Sequence, residues 1–113
     1  MHITEERRAG VFILGLSKRL DAATADGVER KILAAIEAGE RHLVLDLAGL
    51  EYVSSAGLRV FLIAAKRLKS ADGRLALCAP SDHVRQVFDI AGVMSFLSVH
   101  ASRDEAVKYV ELS

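Results

Sequence analysis

The sequence predicts one α/β domain: a mixed, mainly parallel sheet of four to five strands with about four helices packed on it. Three observations carry this. Short apolar, β-branched runs alternate with segments of 3.6-residue periodicity. The connections between them are short and marked by glycine, proline or capping residues. The 113 residues suit a single hydrophobic core and leave no room for a second, so 1–113 is read as one domain.

Val11 to Leu16 is an apolar run after Gly10 and reads as a strand, with a shorter one near residues 2–6. From Ala22 to Ala38 the period changes: Val28, Ile32 and Ile36 recur at spacing four beside Ala25 and Ala35, giving one apolar helix face. Asp21 or Thr24 is placed to cap its start and Gly39 its end. His42 to Leu47 has the unbroken apolar character of a strand buried on both faces. Residues 48–53 read as a loop, followed by Ser54-Ser55 and a second helix from about Ala56 to Ser70. Asp72-Gly73 marks a turn, and Arg74 to Ala79 another buried strand. After Pro80, Ser81 or Asp82 can cap a third helix whose face is Val84, Val87, Phe88 and Ala91, with Gly92 as its stop. Ser95 to His100 resembles a last short strand. Ser102 with Glu105 three residues on forms a capping box for a final helix carrying Ala106, Val107 and Val110.

Composition narrows the function classes. Fifteen basic residues balance fifteen acidic ones, so neither nucleic acid nor an anionic membrane is indicated as a partner. No run approaches the roughly 18 apolar residues that span a bilayer, and the polar, acidic start Met1–Glu6 has no secretory pattern. Direct membrane insertion is not expected, and the expected compartment is the cytoplasm. The single cysteine, Cys78, sits in an apolar strand and reads as a packed thiol. His2, His42, His83 and His100 show no ligand spacing, so no metal site is expected. Walker and dinucleotide glycine loops are absent, and no cofactor is expected. Asp82-His83 with a distant serine could be imagined as a hydrolase triad. However, Val53-Ser54-Ser55-Ala56-Gly57 is not a nucleophile elbow, and no catalytic residue is assigned.

The most informative segment runs from Leu45 to Val60: strand, loop, then a helix start bearing two hydroxyls. Unpaired N–H groups of a first helical turn and the helix dipole favour negative charge there. A serine before a helix is most simply a cap. The segment resembles the signature of the STAS family, named for sulfate transporters and anti-sigma factor antagonists. The similarity extends to Leu20-Asp21-Ala22-Ala23-Thr24, Asp46-Leu47-Ala48-Gly49-Leu50, Ser55-Ala56-Gly57-Leu58, Gly73-Arg74-Leu75 and the Val84…Phe88 helix.

The resemblance implies an anti-sigma factor antagonist whose serine at the start of the second helix is phosphorylated. The partner it implies is a serine-kinase anti-sigma factor of histidine-kinase-like ATPase fold, bound by the unphosphorylated form and released by the phosphorylated one. A serine phosphatase resets the switch. Matched to the family's Asp-Ser-Ser/Thr-Gly-Leu, the phosphorylated residue is Ser55, with Ser54 the weaker candidate. Ser54 stands where the family usually has aspartate, and Arg59 where it often has glycine. Acidic residues near the positions of Asp21 and Asp46 border the phosphosite in the family.

Helical phase places Leu58, Phe61, Leu62, Ala65 and Leu68 in the core. It puts Arg59, Val60, Ile63, Lys66 and Arg67 on the other side, unless another element covers them. The expected partner surface is therefore Asp21, Ser54, Ser55, Gly57, Arg59, Val60 and Ile63. The alternative is a non-switching STAS accessory subunit of a membrane transport or sensory complex.

Overall fold

A computed structural model describes residues 1–111. Five strands, β1 (His2–Arg8), β2 (Val11–Leu20), β3 (His42–Val53), β4 (Arg74–Cys78) and β5 (Val99–His100), lie side by side in chain order. β1 pairs antiparallel with β2, and every later neighbour is parallel. Helices α1 (Ala25–Glu37), α2 (Ser55–Ser70) and α3 (Asp82–Ala91) connect successive parallel strands, and α4 (Arg103–Glu111) follows β5. The expected mixed, mainly parallel α/β sheet with four helices is what the chain forms.

The layering follows from connection handedness. Strands that advance in one direction across a sheet and are joined by right-handed crossovers place all their helices on one face. The core divides accordingly. Leu14, Leu16, Leu43, Leu45 and Leu47 pack with α1, α2 and α3, while the alternating Val11, Ile13, Val44, Ala76 and Cys78 pack with Ala106, Val107 and Val110 of α4. Both faces are covered, which explains why these strands read as unbroken apolar runs. Cys78 is the packed thiol expected, and burial, chiefly, pushes it up to about 12.

Several boundaries differ from the sequence reading. The largest difference is β3, which does not end at Leu47 but continues through the expected loop to Val53. Its second half pairs with Ser17–Leu20 through two register shifts, between Gly15 and Ser17 and between Lys18 and Arg19. Those irregularities break the two-residue alternation by which a strand is recognised. Gly49 has a steric reason to be glycine, since a Cβ there would come within 2.8 Å of Ser17 Cβ. Helix α1 starts at Ala25 rather than Ala22, because the Thr24 and Ala25 N–H groups both donate to the Asp21 carbonyl and close a turn first. β5 is only Val99–His100, two residues of the expected six.

Thr24 stands at the cap position of α1 but makes no side-chain cap bond. Its hydroxyl accepts from Asp21 N–H, while the Asp21 carboxylate accepts from Ala23 N–H in the preceding turn. The remaining stop and start signals act as read. Gly39 and Gly92 take positive φ after α1 and α3, and Ser81 caps α3 by accepting from Val84 N–H at 3.2 Å. Ser102 accepts from Glu105 N–H at 3.2 Å, while the Glu105 carboxylate accepts from Ala101 N–H rather than from Ser102.

Candidate functional site

The carboxyl ends of β2 and β3 bring the turn before α1 and the first turn of α2 together. The tie is a backbone bond: Ser54 N–H donates to the Leu20 carbonyl at 2.9 Å. Ser54 is extended (φ −94°, ψ 175°) and is the cap of α2, its hydroxyl accepting from Gly57 N–H at 3.3 Å. Ser55 is the first helical residue and is exposed, and its hydroxyl has no hydrogen-bond partner among the described residues. The two serines therefore divide structure and availability between them. The α2 first turn holds no acidic side chain, so apart from the Gly57 N–H that Ser54 caps, no charge on the helix itself offsets the dipole at this end.

Gly57 is buried and serves packing, not contact. A Cβ at this position would meet Leu20 Cγ at 2.8 Å and Val53 Cγ2 at 2.9 Å, so glycine lets α2 sit directly on the strand ends. Gly57 is thus removed from the expected partner surface, and Val60 is too. Val60 is 2% exposed because α2 is covered by α1 as well as by the sheet, which widens its buried stripe toward that side. Arg59 is exposed and Ile63 half-buried, so these two remain available from the outer face. Leu62 and Ala65, expected in the core, are only half-buried, and Ala64 takes a core place instead.

Asp21 lies beside the site. Its carboxylate accepts from Ala23 N–H at 3.0 Å and from the Thr24 hydroxyl at 3.3 Å, and Arg19 Nε stands 3.6 Å away. Partial burial acts to raise its pKa. The hydrogen bonds from Ala23 and Thr24, helped by the Arg19 charge, outweigh that and hold it below the usual carboxylate value.

Asp46 is not at this end. It alternates to the α4 side of the sheet, where its carboxylate accepts from Ala48 N–H at 3.0 Å and is gripped by Arg103 at 2.8 and 3.0 Å. Chiefly that hydrogen bond raises the Arg103 pKa. The suggestion that Asp46 borders the serines is corrected.

One cluster had no sequence signal. Arg19 stacks over the Tyr52 ring at 4.1 Å, and Tyr52 in turn stacks with His83 of α3 at 6.5 Å and 23° between planes. The two register shifts set Arg19 opposite Tyr52, which lies two residues before Ser54 in the chain. Among the described residues there is no group of three metal-ligating side chains. No helix among them is long and apolar enough to cross a membrane.

With this geometry in hand, the model of the STAS domain matches residues 2–106. The chain belongs to the STAS family. BtrV of Bordetella bronchiseptica, a candidate anti-sigma factor antagonist, is 42% identical to this STAS domain over 106 residues, 94% of this chain and 91% of BtrV. An anti-sigma F factor antagonist of Paenibacillus polymyxa is 29% identical over 113 residues, covering 99% and 97% of the two chains. Among solved structures, the anti-sigma factor antagonist SpoIIAA superposes in its unphosphorylated form with a TM-score of 0.84 at 24% identity, covering 99% and 98%. The phosphorylated form of the Bacillus protein gives 0.74 at the same identity, covering 96% and 99%. This likeness shows the shared fold.

Proposed function

We propose that this STAS domain is an anti-sigma factor antagonist and a non-enzymatic switch, binding a serine-kinase anti-sigma factor when Ser55 is free and releasing it when Ser55 is phosphorylated. The observation that carries the reading is the division between the serines: Ser54 is spent on the helix cap, while Ser55 is exposed with an uncommitted hydroxyl. Relatives named as anti-sigma factor antagonists support the class of partner, and SpoIIAA, known in phosphorylated and unphosphorylated forms, supports the kind of switch.

In the proposed reaction the kinase binds ATP and supplies a base that takes the Ser55 hydroxyl proton. The serine oxygen forms a bond to the γ-phosphorus as the bond to the β-phosphate oxygen breaks, and ADP leaves. This chain is the substrate, and a serine phosphatase hydrolyses the ester to reset it. A phosphoserine carries about −1.5 to −2 charges. At a helix N-terminus that charge stabilises by roughly 0.3–1 kcal/mol, whereas like charges juxtaposed in an interface cost several kcal/mol. The modification thus spares the domain and breaks the complex. Asp21, Arg59 and Ile63 complete the proposed partner surface around Ser55.

The test is capture from native cell extract with wild type, Ser55→Ala and Ser55→Asp as baits, with the phosphosite mapped by mass spectrometry. Wild type and Ser55→Ala should retain a serine kinase of the histidine-kinase-like fold, and Ser55→Asp should lose it. Equal retention by all three baits, or a phosphate found on Ser54, overturns the reading.

A further inference from the structure

The far half of α2 carries a second surface that the Ser55 switch leaves unused. A cleft of about 530 Å³ opens between Leu62, Ala65, Lys66 and Lys69 of α2 and Ser95 and Phe96 of the segment before β5. Phe96 is 71% exposed, one of two large apolar side chains so displayed among the described residues. An aromatic ring held in water at the lip of an apolar cleft is the usual anatomy of a protein-binding anchor.

Charge indicates the kind of occupant. The chain has no formal net charge, yet α2 carries Arg59, Lys66, Arg67 and Lys69 and no acidic residue. All four are exposed, and none is ion-paired to a described residue, although cations elsewhere, such as Arg8, Lys31 and Arg103, are. Two of the unpaired cations, Lys66 and Lys69, line the cleft itself. A groove with an apolar floor and a cationic rim complements a segment that offers apolar side chains and carboxylates together.

We infer that this cleft is a docking site for an acidic, amphipathic segment of a partner protein, distinct from the Ser55 surface and insensitive to its phosphorylation. The insensitivity follows from distance. Lys66 lies eleven residues along α2 from Ser55, about 16 Å at 1.5 Å per residue. The screening length at physiological ionic strength is about 8 Å. Docking here adds a contact that persists through the switch and raises the effective concentration of the partner at Ser55.

The test begins by panning a displayed library of random 12-residue peptides on the wild-type protein. The selected peptides are then titrated into wild type, Lys66→Glu/Lys69→Glu, Phe96→Ala and Ser55→Asp proteins labelled with ¹⁵N. The spectrum of each variant reports that it is folded. Expected are peptides pairing apolar residues with Asp or Glu, and shift changes concentrated at Leu62, Ala65, Lys66, Lys69, Ser95 and Phe96. Affinity should fall about tenfold or more in the charge-reversed and Phe96→Ala proteins, and less than twofold in Ser55→Asp. The inference is overturned if no peptide is selected, if the peptides lack acidic residues, or if the shifts lie elsewhere. Sedimentation showing a dimer that Phe96→Ala abolishes also overturns it, making a second copy of this chain the occupant. None of these results depends on the kinase, so the cleft and the Ser55 reading can fail separately.

Discussion

Replacing the two adjacent serines one at a time should give sharply different stabilities. In Ser54→Ala the Gly57 N–H loses its acceptor, the half-buried Ser54 hydroxyl at 3.3 Å. A lost N-cap costs about 0.5–2 kcal/mol, which for a domain of this size lowers Tm by roughly 2–8 °C. Ser55→Ala removes an exposed hydroxyl with no partner among the described residues and replaces it with the best helix former. It should stay within about 0.5 kcal/mol of wild type. Ser54→Asp keeps an acceptor on the capping atom and should also stay within about 0.5 kcal/mol, because Asp and Ser cap about equally well. Urea unfolding followed by circular dichroism at pH 7 measures all three. If Ser54→Ala were as stable as wild type, or Ser55→Ala lost as much as Ser54→Ala, the division of roles between the serines would be wrong.

Two further outcomes are expected. Arg59 is exposed one turn beyond Ser55, with no ion-pair partner among the described residues, and is placed to reach back to a phosphate on it. Phosphorylation should then stabilise wild type by about 0.5 kcal/mol more than it stabilises Arg59→Ala, read as the difference in urea midpoints with and without the phosphate; equal differences refute the pairing. Asp21 has a lowered folded pKa, so its contribution to stability is present above its unfolded value near 3.8 and is lost as the pH falls through the lower folded value. Between pH 5 and pH 2 wild type should therefore lose stability more steeply than Asp21→Asn, and parallel curves would show that the carboxylate gains nothing from its turn.

The sequence announced the fold because its signals are local. Apolar runs, glycine stops and serine caps at Ser81 and Ser102 need no tertiary information, and each acts in the structure as its residue type dictates. It failed where two distant segments had to be placed in register. The second half of β3 and the Arg19–Tyr52–His83 stack exist only because β2 and β3 slip past each other at two irregularities. No periodicity within either segment records that slip. Val60 failed for a related reason: helical phase gives one buried face, but a helix packed on a sheet and on a neighbouring helix has two. The motif placed Ser55 at the start of α2, and it is there, exposed. That Ser54 and not Ser55 makes the cap is a matter of one residue of phase, which pattern alone does not resolve.

The serine at position 54 also bears on how large the proposed charge change is. An aspartate cap would hold Gly57 N–H as well, but it would set a permanent negative charge one residue from Ser55. With Ser54 as cap, the first turn of α2 has no acid of its own and Arg59 is the charged residue one turn on. Asp21 and Arg19, 3.6 Å apart beside the site, offset one another, so the dipole and the Arg59 guanidinium leave the unmodified surface at this helix end locally positive. A phosphate of about −1.5 to −2 charges cancels both or slightly exceeds them. Phosphorylation would therefore cancel or invert the positive charge of the surface rather than deepen a negative one already there. A partner face complementary to the unmodified form carries negative potential toward Arg59, and it would meet the phosphate as a like charge. The same change would leave the fold untouched, because the charge would sit on the exposed Ser55 side chain before the outward N–H groups of α2 and on no atom of the core.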